Sequence, residues 1–144
     1  MHLPEIWKVV VSTHKSSLIA PCGINCAICT AFLRQRNRCT GCRGPDEGKP
    51  PTRRDCRIKN CATFQNGQAR FCFACEAFPC DRLKRLDRRY RTKYGMGMIE
   101  NLERIRAEGI EGFLRYEEER WTCPSCGGTI CVHKGYCYSC GKER

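Results

Sequence analysis

The chain has 144 residues, a formal net charge of +11 and fifteen cysteines. This length allows one ordinary domain or two small ones, and it excludes the barrel of roughly 200 residues or more that encloses a radical iron–sulfur cluster. So high a cysteine content indicates a disulfide scaffold or metal sites. Residues 1–15 lack the apolar core of a secretory signal. A reducing, cytoplasmic location is therefore expected, and it favours metal binding over disulfides.

The positive charge suggests a nucleic acid as a partner, but metal binding weakens that argument. A metal-bound cysteine is a thiolate, so four of them around one Zn²⁺ carry a net charge of about −2. Three such sites would lower the formal charge from +11 to about +5. No stretch approaches the roughly 20 apolar residues of a membrane span, and no membrane partner is expected.

In chain order, the sequence divides into four predicted segments. Residues 1–17 form an N-terminal extension, and residues 18–80 form an irregular cysteine-rich metal-binding lobe with Gly, Pro and Arg between its cysteines. Residues 81–120 contain no cysteine and form a helical connector, and residues 121–144 form a zinc-ribbon module. Because apolar residues other than cysteine are scarce, metal must stabilise the fold. The predicted fold class is a small metal-stabilised α+β protein.

The cysteine-rich lobe begins with a C-x3-C-x2-C stretch and continues with further close pairs of cysteines. Two tetrahedral ions use eight thiolates, so ten leave a surplus, and both sequential and interleaved pairings stay open. An iron–sulfur cluster uses the same ligands, although stretches such as CTGC and CFAC favour zinc. The predicted metal ligands of the lobe are Cys22, Cys26, Cys29, Cys39, Cys42, Cys56, Cys61, Cys72, Cys75 and Cys80.

The connector begins with a strongly basic predicted helix over residues 81–94. Asp81 is positioned to cap its start, and Gly95 follows its end. Seven lysines and arginines lie within residues 82–93. They suit either phosphate contacts or a solvated surface that faces the acidic run at residues 117–119. The predicted apolar stripe of this helix is Leu83, Leu86 and Tyr90.

Two further helices are predicted in the connector, on either side of Gly109. The first covers residues 98–108 and stops at this glycine. The second covers residues 111–121. The residues expected to be buried are Met98, Leu102 and Ile105 in the first helix, and Phe113, Leu114 and Trp121 in the second.

The C-terminal segment carries the most specific pattern, two C-x2-C pairs that are each followed by glycine. Two residues between cysteines allow a tight turn to direct both sulfurs at one ion, and glycine accepts the backbone conformation that follows. Two such knuckles predict a closed, structural Cys₄ zinc site formed by Cys123, Cys126, Cys137 and Cys140. Between the knuckles, Cys131 and His133 are either alternative ligands or, as we favour, a buried apolar residue and a polar loop residue.

Several stretches in a fixed order resemble a known family. They are APCGINCAIC, CTGC, CRIKNC, FCFACEAFPCDRL, ENLERIRAEGIEGFL, WTCPSCGG and CYSCGK. Over roughly residues 18–142 the chain resembles the small cysteine-rich prokaryotic proteins known as domain of unknown function 3795. The resemblance implies a prokaryotic, cytosolic, metal-binding protein, and it implies no activity or substrate.

Together these patterns predict a cysteine-rich protein that binds two or three Zn²⁺ ions and acts as a binding or assembly module. The expected partner is another protein, because the best-defined site is closed and no acid–base or nucleophile constellation indicates an enzyme. One alternative is a nucleic-acid-binding zinc protein that uses residues 82–93 and the ribbon. The other is an iron–sulfur redox protein that uses residues 22–80.

Overall fold

The structure is a computed structural model that describes residues 14–36, 38–64 and 69–144. Most of the predicted N-terminal extension therefore lies outside the described residues. The α-helices, in chain order, are α1 (Thr30–Leu33), α2 (Pro51–Arg54), α3 (Asp81–Tyr94) and α4 (Met98–Trp121). Single 3₁₀ turns lie at Ser16–Leu18, Cys26–Ile28, Ala62–Phe64 and Cys72–Ala74.

Helix α3 has the bounds that the sequence predicts, with one difference at its start. Cys80, rather than Asp81, takes the N-cap position, and no side chain caps the helix there. At the other end Gly95 adopts a left-handed conformation with φ of 68°, which a residue with a Cβ atom adopts less readily. Of the predicted apolar stripe, Leu83 and Tyr90 are buried and Leu86 is half-buried.

Helix α4 is broken where the sequence predicts a stop. Gly109 has φ of 81° and ψ of 164°, which is not helical, so two helical pieces meet at this residue. The predicted inward residues are buried in both pieces, apart from Leu114, which is half-buried. The residues that are both predicted and observed to be buried are Met98, Leu102, Ile105, Phe113 and Trp121.

The main hydrophobic core joins the lobe and the C-terminal segment to both long helices. It includes Ile28 of the lobe, Leu83 of α3, Leu102 of α4 and Val132 of the C-terminal segment. The backbone N–H of Val132 also donates to the carbonyl of Ile28, at 2.9 Å. The C-terminal segment is therefore packed on the lobe.

The β part of the predicted α+β class is not confirmed. In the described parts of the chain, β pairing consists of isolated antiparallel bridges, and most of them lie in the C-terminal segment. None of the helices in the described ranges combines the length and apolar composition needed to cross a membrane.

A buried polar contact fixes the second half of α4 against the lobe. The Asn25 side chain accepts from the N–H of Ala27 at 3.0 Å, and its Nδ2 lies 2.8 Å from Nδ1 of His14. The same Nδ2 donates to Glu117 Oε1 at 3.4 Å. Burial raises the pKa of the Glu117 carboxyl.

The acidic run at residues 117–119 does not pair with the basic helix as expected. Glu117 is fully buried and directed at Asn25. Across the ranges that the structure describes, no ion pair joins residues 117–119 to α3. Within α3, Arg91 instead pairs with Asp87 at 2.7 Å, and Asp87 also accepts from the N–H of Ile99 at 3.0 Å.

Candidate metal centre

The first C-terminal knuckle is a tight turn that begins at Cys123. The N–H of Gly127 donates to the carbonyl of Cys123 at 2.9 Å, and the N–H of Cys123 donates to the carbonyl of Gly128 at 2.8 Å. Gly127 has φ of 76°, a left-handed value that glycine adopts without strain. This turn directs the N–H of Gly128 at the Cys126 sulfur, 3.3 Å away.

The second knuckle repeats the first one, fourteen residues further along the chain. The N–H of Gly141 donates to the carbonyl of Cys137 at 2.9 Å, and the N–H of Cys137 donates to the carbonyl of Lys142, also at 2.9 Å. Gly141 has φ of 77°. Equal spacing and equal turn chemistry thus produce equal geometry, as the two C-x2-C-G patterns predict.

The two knuckles bring their four sulfurs together. The Sγ atoms of Cys123, Cys126, Cys137 and Cys140 all lie within 4.8 Å of one another. Two of these distances are 3.7 Å, from Cys123 to Cys140, and 3.4 Å, from Cys126 to Cys137. A tetrahedral zinc site with Zn–S bonds of about 2.3 Å has sulfurs about 3.8 Å apart. The residues therefore fit one Zn²⁺ without rearrangement of the backbone.

Backbone donors prepare some of these sulfurs for the thiolate form that a metal requires. Hydrogen bonds from the N–H groups of Cys140 and Ser139 lower the pKa of Cys137 to about 6. For Cys126 the N–H of Gly128 acts in the same direction, but contacts with the Cys137 and Cys140 sulfurs outweigh it and raise the pKa to about 12. Four adjacent thiolates repel one another, and a bound cation removes that repulsion.

Cys131 and His133, which lie between the knuckles, are not part of this group of sulfurs. Cys131 is 0% exposed, as expected of a buried apolar residue. His133 makes a contact that the sequence does not indicate. Its Nδ1 accepts from the N–H of Thr30 at 3.2 Å, and its Nε2 lies 2.8 Å from the hydroxyl of Tyr90. The imidazole therefore links the C-terminal segment to the lobe and to α3.

In the lobe, the structure brings the C-x2-C pairs at 26/29 and 39/42 next to each other. The N–H of Cys42 donates to the Cys26 sulfur at 3.4 Å. The hydrogen bond with the Cys42 thiol, together with burial, raises the pKa of Cys26. Cys29 and Cys39 lie in a separate small apolar cluster with Ala31.

Cys22 is buried in the lobe and interacts with cysteines from several of its parts. Burial raises the pKa of its thiol well above the ordinary value, and the thiols of Cys42, Cys72 and Cys56 act in the same direction. Within the described residues, however, the C-terminal four are the one set of three or more candidate ligands whose atoms all lie within 4.8 Å. The ten predicted ligands of the lobe therefore stay a prediction.

Comparisons with known proteins give one match. A search of curated proteins and a search of solved structures each found no match to the chain. A family model described as a protein of unknown function (DUF3795) matches residues 18–85. This range includes all ten lobe cysteines and ends within α3, and it leaves the C-terminal knuckles outside. The match supports the family resemblance for the cysteine-rich lobe.

Proposed function

We propose that the protein is a zinc-stabilised binding module whose C-terminal ribbon holds one structural Zn²⁺. The observation that supports this most strongly is the set of four cysteine sulfurs within 4.8 Å of one another. Four thiolates suit Zn²⁺ in a tetrahedral site and leave no position for water or substrate, so the ion stabilises the fold and takes no part in catalysis. Its ligands are Cys123, Cys126, Cys137 and Cys140.

The test is the zinc content of chain purified without oxygen, for the wild type and two matched variants. Cys126→Ala removes a ligand, whereas Cys131→Ala removes a cysteine outside the group of four. We expect Cys126→Ala to contain one zinc fewer per chain, and Cys131→Ala to keep the wild-type content. Equal zinc content in the wild type and Cys126→Ala would contradict the proposal.

The partner that we propose is another protein, in a reducing compartment such as the cytoplasm. Tyr136 and Tyr138 on the second knuckle are 37% and 36% exposed, and tyrosines of this kind are enriched in protein interfaces. Nucleic acid is the competing partner, and binding to mixed-sequence DNA and RNA at low and moderate salt separates the two. Micromolar binding at moderate salt that Arg85→Glu with Arg89→Glu abolishes would contradict a protein partner.

A further inference from the structure

We propose that Cys61, Cys72, Cys75 and Cys80 form a second thiolate-ligated metal centre, which is separate from the C-terminal one. The four residues line one cavity in the lobe, beside the start of α3. The proposal does not depend on the C-terminal zinc, since it concerns different residues in a different part of the chain.

Short turns and a helix start bring the four cysteines to this cavity. Cys72 begins a 3₁₀ turn and Cys75 follows its end, and the N–H of Cys75 donates to the carbonyl of Cys72 at 3.0 Å. Cys61 precedes another turn, closed by the N–H of Phe64 at 3.0 Å from the Cys61 carbonyl. Cys80 is the N-cap of α3.

The cavity itself has the character of a shielded metal site. It measures about 60 Å³, and Phe64, Phe78 and Leu83 form part of its wall. Apolar walls exclude water from thiolate–metal bonds, as the environment of a metal site commonly does. Arg57 and Arg82 also line the cavity, and they can offset the negative charge that four thiolates leave around a divalent ion.

The positions of the four cysteines suit ligands that surround a bound metal ion or cluster. Cys72 lies close enough to the thiols of Cys80, Cys61 and Cys75 to interact with them electrostatically, and also to that of Cys56, which does not line the cavity. None of the four is in a disulfide. Cys72 belongs to the main hydrophobic core and Cys80 packs against it, but all four cysteines also line this cavity, which leaves space for an occupant between them.

The chemistry of the occupant follows from its ligands. Four thiolates without a histidine select a thiophilic centre, either Zn²⁺ or an iron–sulfur cluster. In the described ranges these sulfurs do not form a second set within 4.8 Å of one another. A single ion would therefore draw the sulfurs inward, while a cluster would hold them further apart.

The first experiment maps thiol protection in the wild-type chain, so that no variant has to fold. Metal-loaded protein is treated with iodoacetamide before and after a chelator, and the modified cysteines are identified by peptide mass spectrometry. We expect Cys61, Cys72, Cys75 and Cys80 to be protected before the chelator and to become reactive together after it. Modification of any of the four in fully metal-loaded protein would overturn the proposal.

The second experiment compares metal content in two variants of the full chain purified without oxygen. Cys75→Ser removes a ligand of the proposed centre, and Cys131→Ala removes a buried cysteine that lies outside both the cavity and the C-terminal group of four. We expect Cys75→Ser to contain one metal centre fewer than the wild type, and Cys131→Ala to keep the wild-type content. If the metal that Cys75→Ser loses is zinc, the centre is a single ion, and if it is iron with inorganic sulfide, the centre is a cluster; both support a four-thiolate centre. Unchanged metal in Cys75→Ser, or an equal loss in Cys131→Ala, would overturn the assignment.

Discussion

The imidazole of His133 is expected to stabilise the packing of the C-terminal segment on the rest of the chain, and His133→Ala tests this. The Thr30 N–H donates to Nδ1, so the proton of the neutral ring lies on Nε2 and is donated to the Tyr90 hydroxyl. The ring also makes edge contacts with Tyr90 and Tyr94, with centroids 5.5 and 4.9 Å apart.

The size of the effect follows from these contacts. Each hydrogen bond contributes about 1 kcal/mol, and each aromatic contact contributes about 0.5–1.5 kcal/mol. We therefore expect His133→Ala to lower the free energy of unfolding by about 3–5 kcal/mol. For a chain of this size, the melting temperature should fall by about 10–20 °C.

The assay is thermal unfolding of metal-loaded protein, followed by circular dichroism, with Tyr90→Phe as the matched control. The control removes one hydrogen bond and keeps the aromatic ring, so it should cost only about 1 kcal/mol. The zinc content of His133→Ala should equal that of the wild type, because His133 lies outside the four-sulfur group. The reasoning is refuted if His133→Ala melts within about 1 °C of the wild type, or if it loses zinc while still folded.

Three further substitutions test other parts of the fold. Burial raises the pKa of Glu117, so the folded state favours the protonated carboxyl. As pH rises from the unfolded-state pKa of this carboxyl through its folded-state pKa, ionisation of the buried group increasingly lowers the stability of the wild type. We therefore expect the melting temperature of Glu117→Gln to rise relative to that of the wild type between pH 5 and pH 7.5. A difference in melting temperature that shrinks over this range would contradict the argument. Gly23→Ala should lower the free energy of unfolding by about 2–5 kcal/mol in denaturant titrations. The reason is that Gly23 has φ of +95° and that a Cβ atom there would lie 2.9 Å from Leu102 Cγ. A loss below about 1 kcal/mol would show that the surrounding residues can accommodate the added Cβ atom. Gly128→Ala should weaken zinc retention against a competing chelator. The reason is that its Cβ atom would lie 2.9 Å from the Cβ of Ser139 and 3.1 Å from the Cys137 sulfur. Unchanged retention would show that the knuckle can move to accommodate the methyl group.

The helices and the C-terminal group of four cysteines could be predicted because their signals are local. Residues 81–94 contain their own apolar spacing, and Gly95 follows them directly. Gly109 likewise interrupts the spacing at the point where the helix is broken. Each C-x2-C-G knuckle encodes its own turn, so placing two of them side by side was enough to predict the four-sulfur group.

Other features depend on contacts between distant residues, and no local pattern indicates them. Glu117 lies in an acidic run that suggests a solvated surface, yet Asn25, 92 residues away, accommodates it in the interior. His133 lies 103 residues from Thr30 and 43 from Tyr90. The arrangement of the lobe cysteines depends on loops such as residues 42–56, whose conformation Gly, Pro and charged residues do not specify.

The break at Gly109 has a consequence for how the length of this chain can change. In a continuous helix, one inserted residue rotates everything beyond it by about 100° and moves buried side chains to the surface. Gly109 is already non-helical, and a Cβ atom built on it would have no neighbour within 4 Å. The buried residues on its two sides therefore follow separate helical registers. They are residues 98, 102 and 105 before the glycine, and residues 113, 117 and 121 after it. Insertions and deletions among related sequences should be tolerated at this glycine and rejected one turn away on either side.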